Sequence, residues 1–218
     1  MIEIIDINKT YTQGSEQIHA LKNINLKIEN GEFVSIIGKS GSGKSTLLHL
    51  LGGLDSADSG KILYNNQNIL MMKNKELNSF RRKHIGFIFQ DYNLIPELNG
   101  EQNIRFPAML AKNNISNNFF QMIVEKLDIS DRIKHLPSEM SGGQQQRIAI
   151  ARAFINKPDI ILCDEPTGNL DSQTSDSVMN LIRTLKEELN QTVILVTHDL
   201  DYAQLADRVI ELKDGEII

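Results

Sequence analysis

The residues Gly38-Lys39-Ser40-Gly41-Ser42-Gly43-Lys44-Ser45 fit the pattern G-x-x-x-x-G-K-[ST]. Glycines at these spacings permit a tight wrap that turns successive backbone N–H groups toward a phosphate, and a helix behind the loop adds the positive end of its dipole. In that chemistry Lys44 neutralises the β- and γ-phosphates of a nucleotide, the Ser45 hydroxyl coordinates Mg²⁺, and Thr46 follows at the helix start. The pattern needs a strand before it and a helix after it. Phe33–Ile37 is an apolar run leading straight into the loop, and Leu47, Leu48, Leu50, Leu51 and Leu54 predict the apolar face of the helix that leaves it. The plain alternative is a glycine-rich turn, which this context argues against.

A second group of residues could act on what such a loop holds. Ile160-Ile161-Leu162-Cys163 is an apolar run ending in Asp164-Glu165. Two acids at the end of a buried strand are costly unless a cation or hydrogen bonds compensate them. Asp164 is the natural indirect ligand of Mg²⁺, and Glu165 is then placed as the general base that polarises an attacking water. Two further apolar runs end in polar residues: Ile85–Phe89 at Gln90, and Thr192–Val196 at Thr197-His198-Asp199. Ligands in open α/β sheets bind beyond the carboxyl ends of the strands, so Gln90 and His198 join the candidate site. Cys163 reads as core packing rather than a reactive thiol. Asn156-Lys157-Pro158-Asp159 imitates the N-K-x-D guanine motif, but it precedes a strand instead of following one, and reads as a Pro-stopped helix end.

Ser141-Gly142-Gly143-Gln144 opens a predicted helix over Gln145–Ile155. Ser141 and Gln144 have capping-box spacing, so a well-capped helix is one reading. Two glycines at the helix mouth also leave backbone N–H groups open to an anion, which is the other. One chain with two phosphate-binding helix ends suggests a head-to-tail pair, each chain closing over the nucleotide of its partner. Spacing alone leaves both readings open.

The elements that must position these residues alternate short apolar strands with helices, which predicts an α/β core with a mainly parallel sheet. Strand candidates besides those above are Ile24–Ile28, Ile62–Tyr64 and Arg208–Leu212, with Asn30-Gly31 a hairpin turn signal before Phe33. Between about residues 91 and 155 the pattern is helical, as in Phe119–Leu127, and reads as an inserted subdomain of a single 218-residue domain whose core is residues 1–90 and 156–218. The net charge of −5 gives no global basic field, so nucleic acid is not an expected partner. No apolar run approaches the roughly 18 residues a spanning helix needs. The start, MIEIIDINKTYTQ, lacks the basic and apolar blocks of a signal peptide. A lone cysteine excludes an internal disulfide and fits a reducing cytosol, so a role at a membrane must come through a partner.

Taken together these motifs resemble the ABC ATPase family along essentially the whole chain. Lys44 and Ser45 match its Walker A motif, Gln90 its Q-loop, Ser141–Gln144 its signature, Asp164-Glu165 its Walker B, Asn169-Leu170-Asp171 its D-loop and His198 its switch histidine. Tyr11 sits where that family stacks an aromatic on adenine. Met140 replaces the usual signature leucine, a swap of similar volume, and the chain stops at Gly215-Glu-Ile-Ile218, the minimal end of such domains. Tyr11 followed by His19-Ala20-Leu21-Lys22, the stretch Phe89–Pro96 and Pro166–Asp171 resemble more closely the subgroup of macrolide export, lipoprotein release and antimicrobial-peptide export. The resemblance implies a P-loop NTPase (RecA-like) core with an antiparallel β-subdomain and a helical subdomain. It further implies an ATPase using ATP and Mg²⁺, with Mg²⁺ held by Ser45, Gln90 and Asp164. Catalysis would rest on Glu165, His198, Lys44 and Gln90, and nucleotide contacts on Tyr11, Gly38–Thr46, Ser141–Gln144 and Asp171. A homodimer around two ATP and a membrane permease follow as partners, on the cytoplasmic face of the cell membrane. The rival readings are a soluble ABC ATPase acting on ribosomes or DNA, which usually carries a second such domain or a long insertion, and a binding module without turnover, which would lack Glu165 or His198.

Overall fold

The computed structural model describes residues 1–218, apart from the side chain of Gln13. The chain runs through β1 (Ile2–Gln13), β2 (Glu16–Ile28), β3 (Phe33–Ile37), α1 (Lys44–Leu51), β4 (Ser59–Tyr64), β5 (Gln67–Asn68) and α2 (Asn74–His84). It continues through β6 (Ile85–Phe89), α3 (Gly100–Ala111), α4 (Asn117–Lys126), α5 (Gly142–Phe154), β7 (Ile160–Asp164) and α6 (Ser172–Leu189). It closes with β8 (Thr192–Val196), α7 (Leu200–Ala203), β9 (Arg208–Lys213) and β10 (Glu216–Ile217). Contacts gather these elements into two units, Met1–Arg81 with Thr192–Ile218, and Arg82–Gln191.

In the first unit β1 and β2 form a long antiparallel hairpin whose other side is taken by β4, with β5 beyond it. The register Ile2↔Ile28 and Ile4↔Ile62 puts buried isoleucines opposite one another, as a sheet with one buried face requires. Phe33, Val34, Ser35 and Ile36 of β3 are buried in succession, the pattern of a strand covered on both faces, and β3 lies parallel to β8 and to β9. The expected hairpin at Asn30-Gly31 is therefore corrected. β2 alternates and pairs with β1, β3 does not alternate and pairs with β8 and β9, and the turn, with Gly31 at φ 78°, passes the chain between two sheets. Leu47, Leu48, Leu50 and Leu51 of α1 are fully buried. Leu54 does not join them: the helix ends at its Gly52 cap, Gly53 turns left-handed at φ 61°, and Leu54 lies beyond, 40% exposed. Buried Tyr64 donates its hydroxyl to the Leu51 carbonyl at 2.6 Å, satisfying one acceptor of that helix end.

In the second unit β6 and β7 are parallel, with Ile85↔Ile160 and Phe89↔Asp164 in register. One step past that register, Gln90 and Glu165 leave their strands side by side. α5 packs on β6, α3 and α6. It starts at Gly142, earlier than the apolar pattern suggests, because its first turn is the glycine pair itself. α6 buries Val178, Met179, Ile182 and Leu185, a spacing of one helical face. No helix is long and apolar enough to cross a membrane, among the described residues.

Candidate functional site

The loop between β3 and α1 is held open by its glycines. Gly38 has φ 154°, and a Cβ there would lie 2.2 Å from the Leu212 carbonyl oxygen; at Gly43, φ 102°, a Cβ would lie 2.3 Å from that of Ala20. Neither site admits a side chain without moving backbone. Gly43 caps α1 with no side-chain hydrogen bond, so the first N–H groups of that helix keep their donors for a ligand. Lys44 Nζ donates to the carbonyls of Gly38 and Lys39 at 2.8 and 3.0 Å, folding the ammonium across the loop. An ammonium has three N–H groups, which leaves one for an incoming oxygen. Ser42 Oγ is buried without a partner, while its backbone bonds Lys39 and Gly215 and fixes the loop from behind. Lys39, Ser40, Gly41 and Ser45 are exposed, Ser45 at the start of α1.

Tyr11, 38% exposed on β1, donates its hydroxyl to Asp55 Oδ2 at 2.7 Å, and that hydroxyl lies beside Thr46 in the first turn of α1. The bond to Asp55 fixes an open aromatic ring near the start of α1. At the end of β8, Thr197 N donates to Ile36 O, Asp199 caps α7, and His198 stands exposed between them.

In the second unit Asp164 ends β7, and Glu165 turns left-handed at φ 47°, a conformation that costs a non-glycine residue roughly 1–2 kcal/mol. The turn is closed by Gly168 N donating to Glu165 O at 3.0 Å. Gln146, fully buried on α5, supports it: its Nε2 donates to Pro166 O at 2.5 Å and to Phe89 O at 3.5 Å, so one side chain braces the ends of both β6 and β7. Gln90 and Asn169 clasp each other. Asn169 Nδ2 donates to Gln90 O at 3.1 Å and to Asp91 Oδ1 at 2.9 Å, and Gln90 Nε2 donates to Asn169 Oδ1 at 3.4 Å. Cys163 is buried, and burial pushes its thiol far up, which fits packing and not nucleophilic chemistry.

At the mouth of α5 the capping box is formed: Ser141 Oγ accepts from Gln144 N, and Gln144 Oε1 accepts from Ser141 N at 3.0 Å. Each side chain accepts one bond from the other's backbone, which leaves the Ser141 hydroxyl proton, the Gln144 amide N–H groups and the glycine main-chain N–H groups as donors at this end. A side chain there would also displace its neighbours, since a Cβ on Gly142 would meet Tyr92 Oη at 2.7 Å and one on Gly143 would meet Thr174 Cγ2 at 2.6 Å. An open hollow of about 230 Å³ beside this end is lined by Asp128, Ser141, Gly143, Gln144, Arg147 and Thr174. Asp171 caps α6, accepting from Thr174 N at 3.0 Å and Thr174 Oγ1 at 2.7 Å; the Thr174 hydroxyl above all holds its carboxyl below the ordinary value.

A family model described as ABC transporter matches residues 21–168, more than half of the sequence. The chain belongs to the ABC transporter family. It is 46% identical, over its whole length, to the macrolide export ATP-binding/permease protein MacB of Pasteurella multocida, and spans about a third (34%) of that protein. It is 44% identical to the uncharacterised ABC transporter ATP-binding protein MJ0796 of Methanocaldococcus jannaschii, covering 95% of it. Among solved structures it superposes on a dimeric structure of MJ0796 with TM-score 0.92 at 44% identity, covering 100% of this chain and 96% of that one. The dimeric post-hydrolysis state of the same cassette, bound to ADP and Pi, also gives 0.92, at 43% identity and the same coverage.

As an ABC cassette with the P-loop NTPase fold, the chain places the family's motif residues in two groups. Tyr11, the loop Gly38–Thr46 and His198 are in the first unit; Gln90, Ser141–Gln144, Asp164, Glu165 and Asp171 are in the second. Sequence reasoning missed Gln146, Asp55 and Lys9. A glutamine in a run of three and a lysine in a polar strand carry no signal of burial, and only packing reveals it.

Proposed function

We propose that this cassette binds ATP with Mg²⁺ and hydrolyses it as one half of a two-chain sandwich that drives a membrane permease. The observation that supports the reading is the pairing, in one chain, of a phosphate loop with an uncapped helix start and a second helix whose first turn is a glycine pair behind a capping box. In the sandwich, Ser141–Gln144 of each chain closes over ATP held by Gly38–Thr46 of the other, with Asp171 at the same junction and Tyr11 against adenine. Glu165 accepts the proton of the attacking water, His198 and Lys44 steady the charge on the transferring phosphoryl group, and Gln90 orients water. The donors assigned to Mg²⁺, the Ser45 hydroxyl, the Gln90 amide and the Asp164 carboxylate, are all oxygen, as that ion prefers. Gln90 spends its amide N–H on Asn169, which keeps its oxygen for a cation. When bound, Mg²⁺ draws off charge from the phosphate oxygens.

The helical residues 91–155 form the subdomain that carries the signature, between core segments 1–90 and 156–218. The likeness to a macrolide export ATP-binding/permease protein supports a role in export through a permease; export or extraction of an antibiotic, peptide or lipoprotein, with the cassette on the cytoplasmic face of the membrane, is the reading proposed. Glu165→Gln tests the central claim. The amide keeps the size of the side chain and loses its basicity, a change that commonly slows turnover by about 10²–10⁴-fold. ATP should bind and persist, and size exclusion should show a dimer with ATP and a monomer with ADP. Hydrolysis at the unaltered rate removes Glu165 as base; a stalled variant that stays monomeric at high protein and ATP removes the sandwich.

A further inference from the structure

The surroundings of Tyr11 are more closely built than a covering side chain requires. Lys9 and Tyr11 are two residues apart on β1, and Asp55, just beyond α1, reaches both. The Tyr11 hydroxyl donates to Asp55 Oδ2 at 2.7 Å, and Lys9 Nζ donates to Asp55 Oδ1 at 3.0 Å. Ser56 N donates to the same Oδ1 at 2.7 Å, so both carboxylate oxygens are used. Lys9 Nζ also donates to Ser56 O at 2.7 Å and lies over the Tyr11 ring, 4.8 Å from its centroid. The lysine is only 8% exposed, whereas the ring is 38% exposed. The ring is thus tied at its rim by a carboxylate and has a cation against it, with open surface remaining.

Hydrogen bonds to an ionised group are the strong kind. Burial pushes the Asp55 carboxyl up, yet its bonds from Tyr11, Lys9 and Ser56 N outweigh that and hold it below the ordinary value, so it is charged at neutral pH. A ring immobilised before the ligand arrives loses less freedom when a base stacks on it. We propose that Asp55 is a positioning residue for the nucleotide base: with Lys9 it fixes the Tyr11 ring, beside the first turn of α1, in the pose that stacks on adenine. This rests on the reading of Tyr11 as the base-stacking residue.

Calorimetric titration of the full chain with Mg-ATP and, separately, with magnesium tripolyphosphate tests it, because tripolyphosphate offers the loop its phosphates without a base. Asp55→Ala, and Tyr11→Phe, which removes only the hydroxyl, should each weaken ATP by about three- to tenfold, a part of what base stacking contributes. Tripolyphosphate should bind all variants alike, and Asp55→Ala should have no further effect in a Tyr11→Ala background. Equal weakening of both ligands, or the same loss with and without the ring, assigns Asp55 a structural role and overturns the proposal. So does unchanged ATP affinity in Asp55→Ala while Tyr11→Ala weakens it. If Tyr11→Ala itself binds ATP as the unaltered chain does, the base-stacking reading falls, and the proposal with it. Should Asp55→Ala fail to fold, Tyr11→Phe carries the same comparison.

Discussion

Lys44 shows how much of a motif residue's work is done before any ligand arrives. Its ammonium is nearly buried and already bonded to two loop carbonyls. Lys44→Ala removes the charge that meets phosphate and leaves those carbonyls without their donor. Turnover should fall by about 10²–10³-fold, the scale of losing one preorganised electrostatic group, and nucleotide binding should weaken with it. Steady-state kinetics and ATP titration check this; normal constants would sink the phosphate-loop assignment. The residues proposed to touch a nucleotide were legible as candidates because that chemistry demands fixed types at fixed spacing. Their supports were not. In the run Gln144-Gln145-Gln146 each step turns the helix by about 100°, and the three identical side chains do three things. Gln144 caps the helix, Gln145 donates to Met140 O, and Gln146 braces two strand ends from the core. Which glutamine faces inward depends on packing that no local pattern encodes.

Among the elements, the strands that carry the site were readable from runs of apolar residues, and β6, β7 and β8 begin where those runs do. α2 was not, since it buries no residue and so leaves no apolar stripe. The hairpin signal at Asn30-Gly31 misled because a turn sequence fixes a local bend and not which sheet receives the next strand. α3 offers a test of how its first turn is held. Glu101 bonds Lys134 and Arg105, and Lys134 foremost holds its carboxyl below the ordinary value. A carboxyl depressed in the folded state stabilises fully above its unfolded value, and that stabilisation is lost as pH falls through the folded one. Glu101→Gln should lower stability at neutral pH by less than about 1 kcal/mol, the range of such partly exposed pairs. Unfolding midpoints measured toward acid pH should converge with those of the unaltered chain. A gap that persists in acid places the effect in packing and not in charge.

At the scale of the whole molecule, no helix among the described residues is long and apolar enough to cross a membrane, and the proposed function assigns the chain a permease to work on. The segment from Gln90 to about Leu110 is the docking surface proposed for the permease. Tyr92, Leu94, Ile95 and Phe106 are half-buried, while Met109 and Leu110 stand 65% and 50% exposed at the end of α3. Arg152, reaching from α5, donates to the carbonyls of Tyr92 and Asn93, both in left-handed turns, so this surface is bonded to the signature helix. Cysteines placed between Asp91 and Gly100 should crosslink to the co-purified permease; crosslinks confined to other faces would move the docking site. The clasp of Gln90 with Asn169 has a bearing on how such a surface could be informed. Its amide contacts, of 3.1 and 3.4 Å, are open to solvent, and each such bond is worth about 0.5–1.5 kcal/mol net. Exchanging them for water or ligand contacts therefore costs little. A detector poised near its balance point responds most steeply to a small input, so under the proposed function occupancy of the nucleotide site needs to contribute only a little free energy to register at the docking surface.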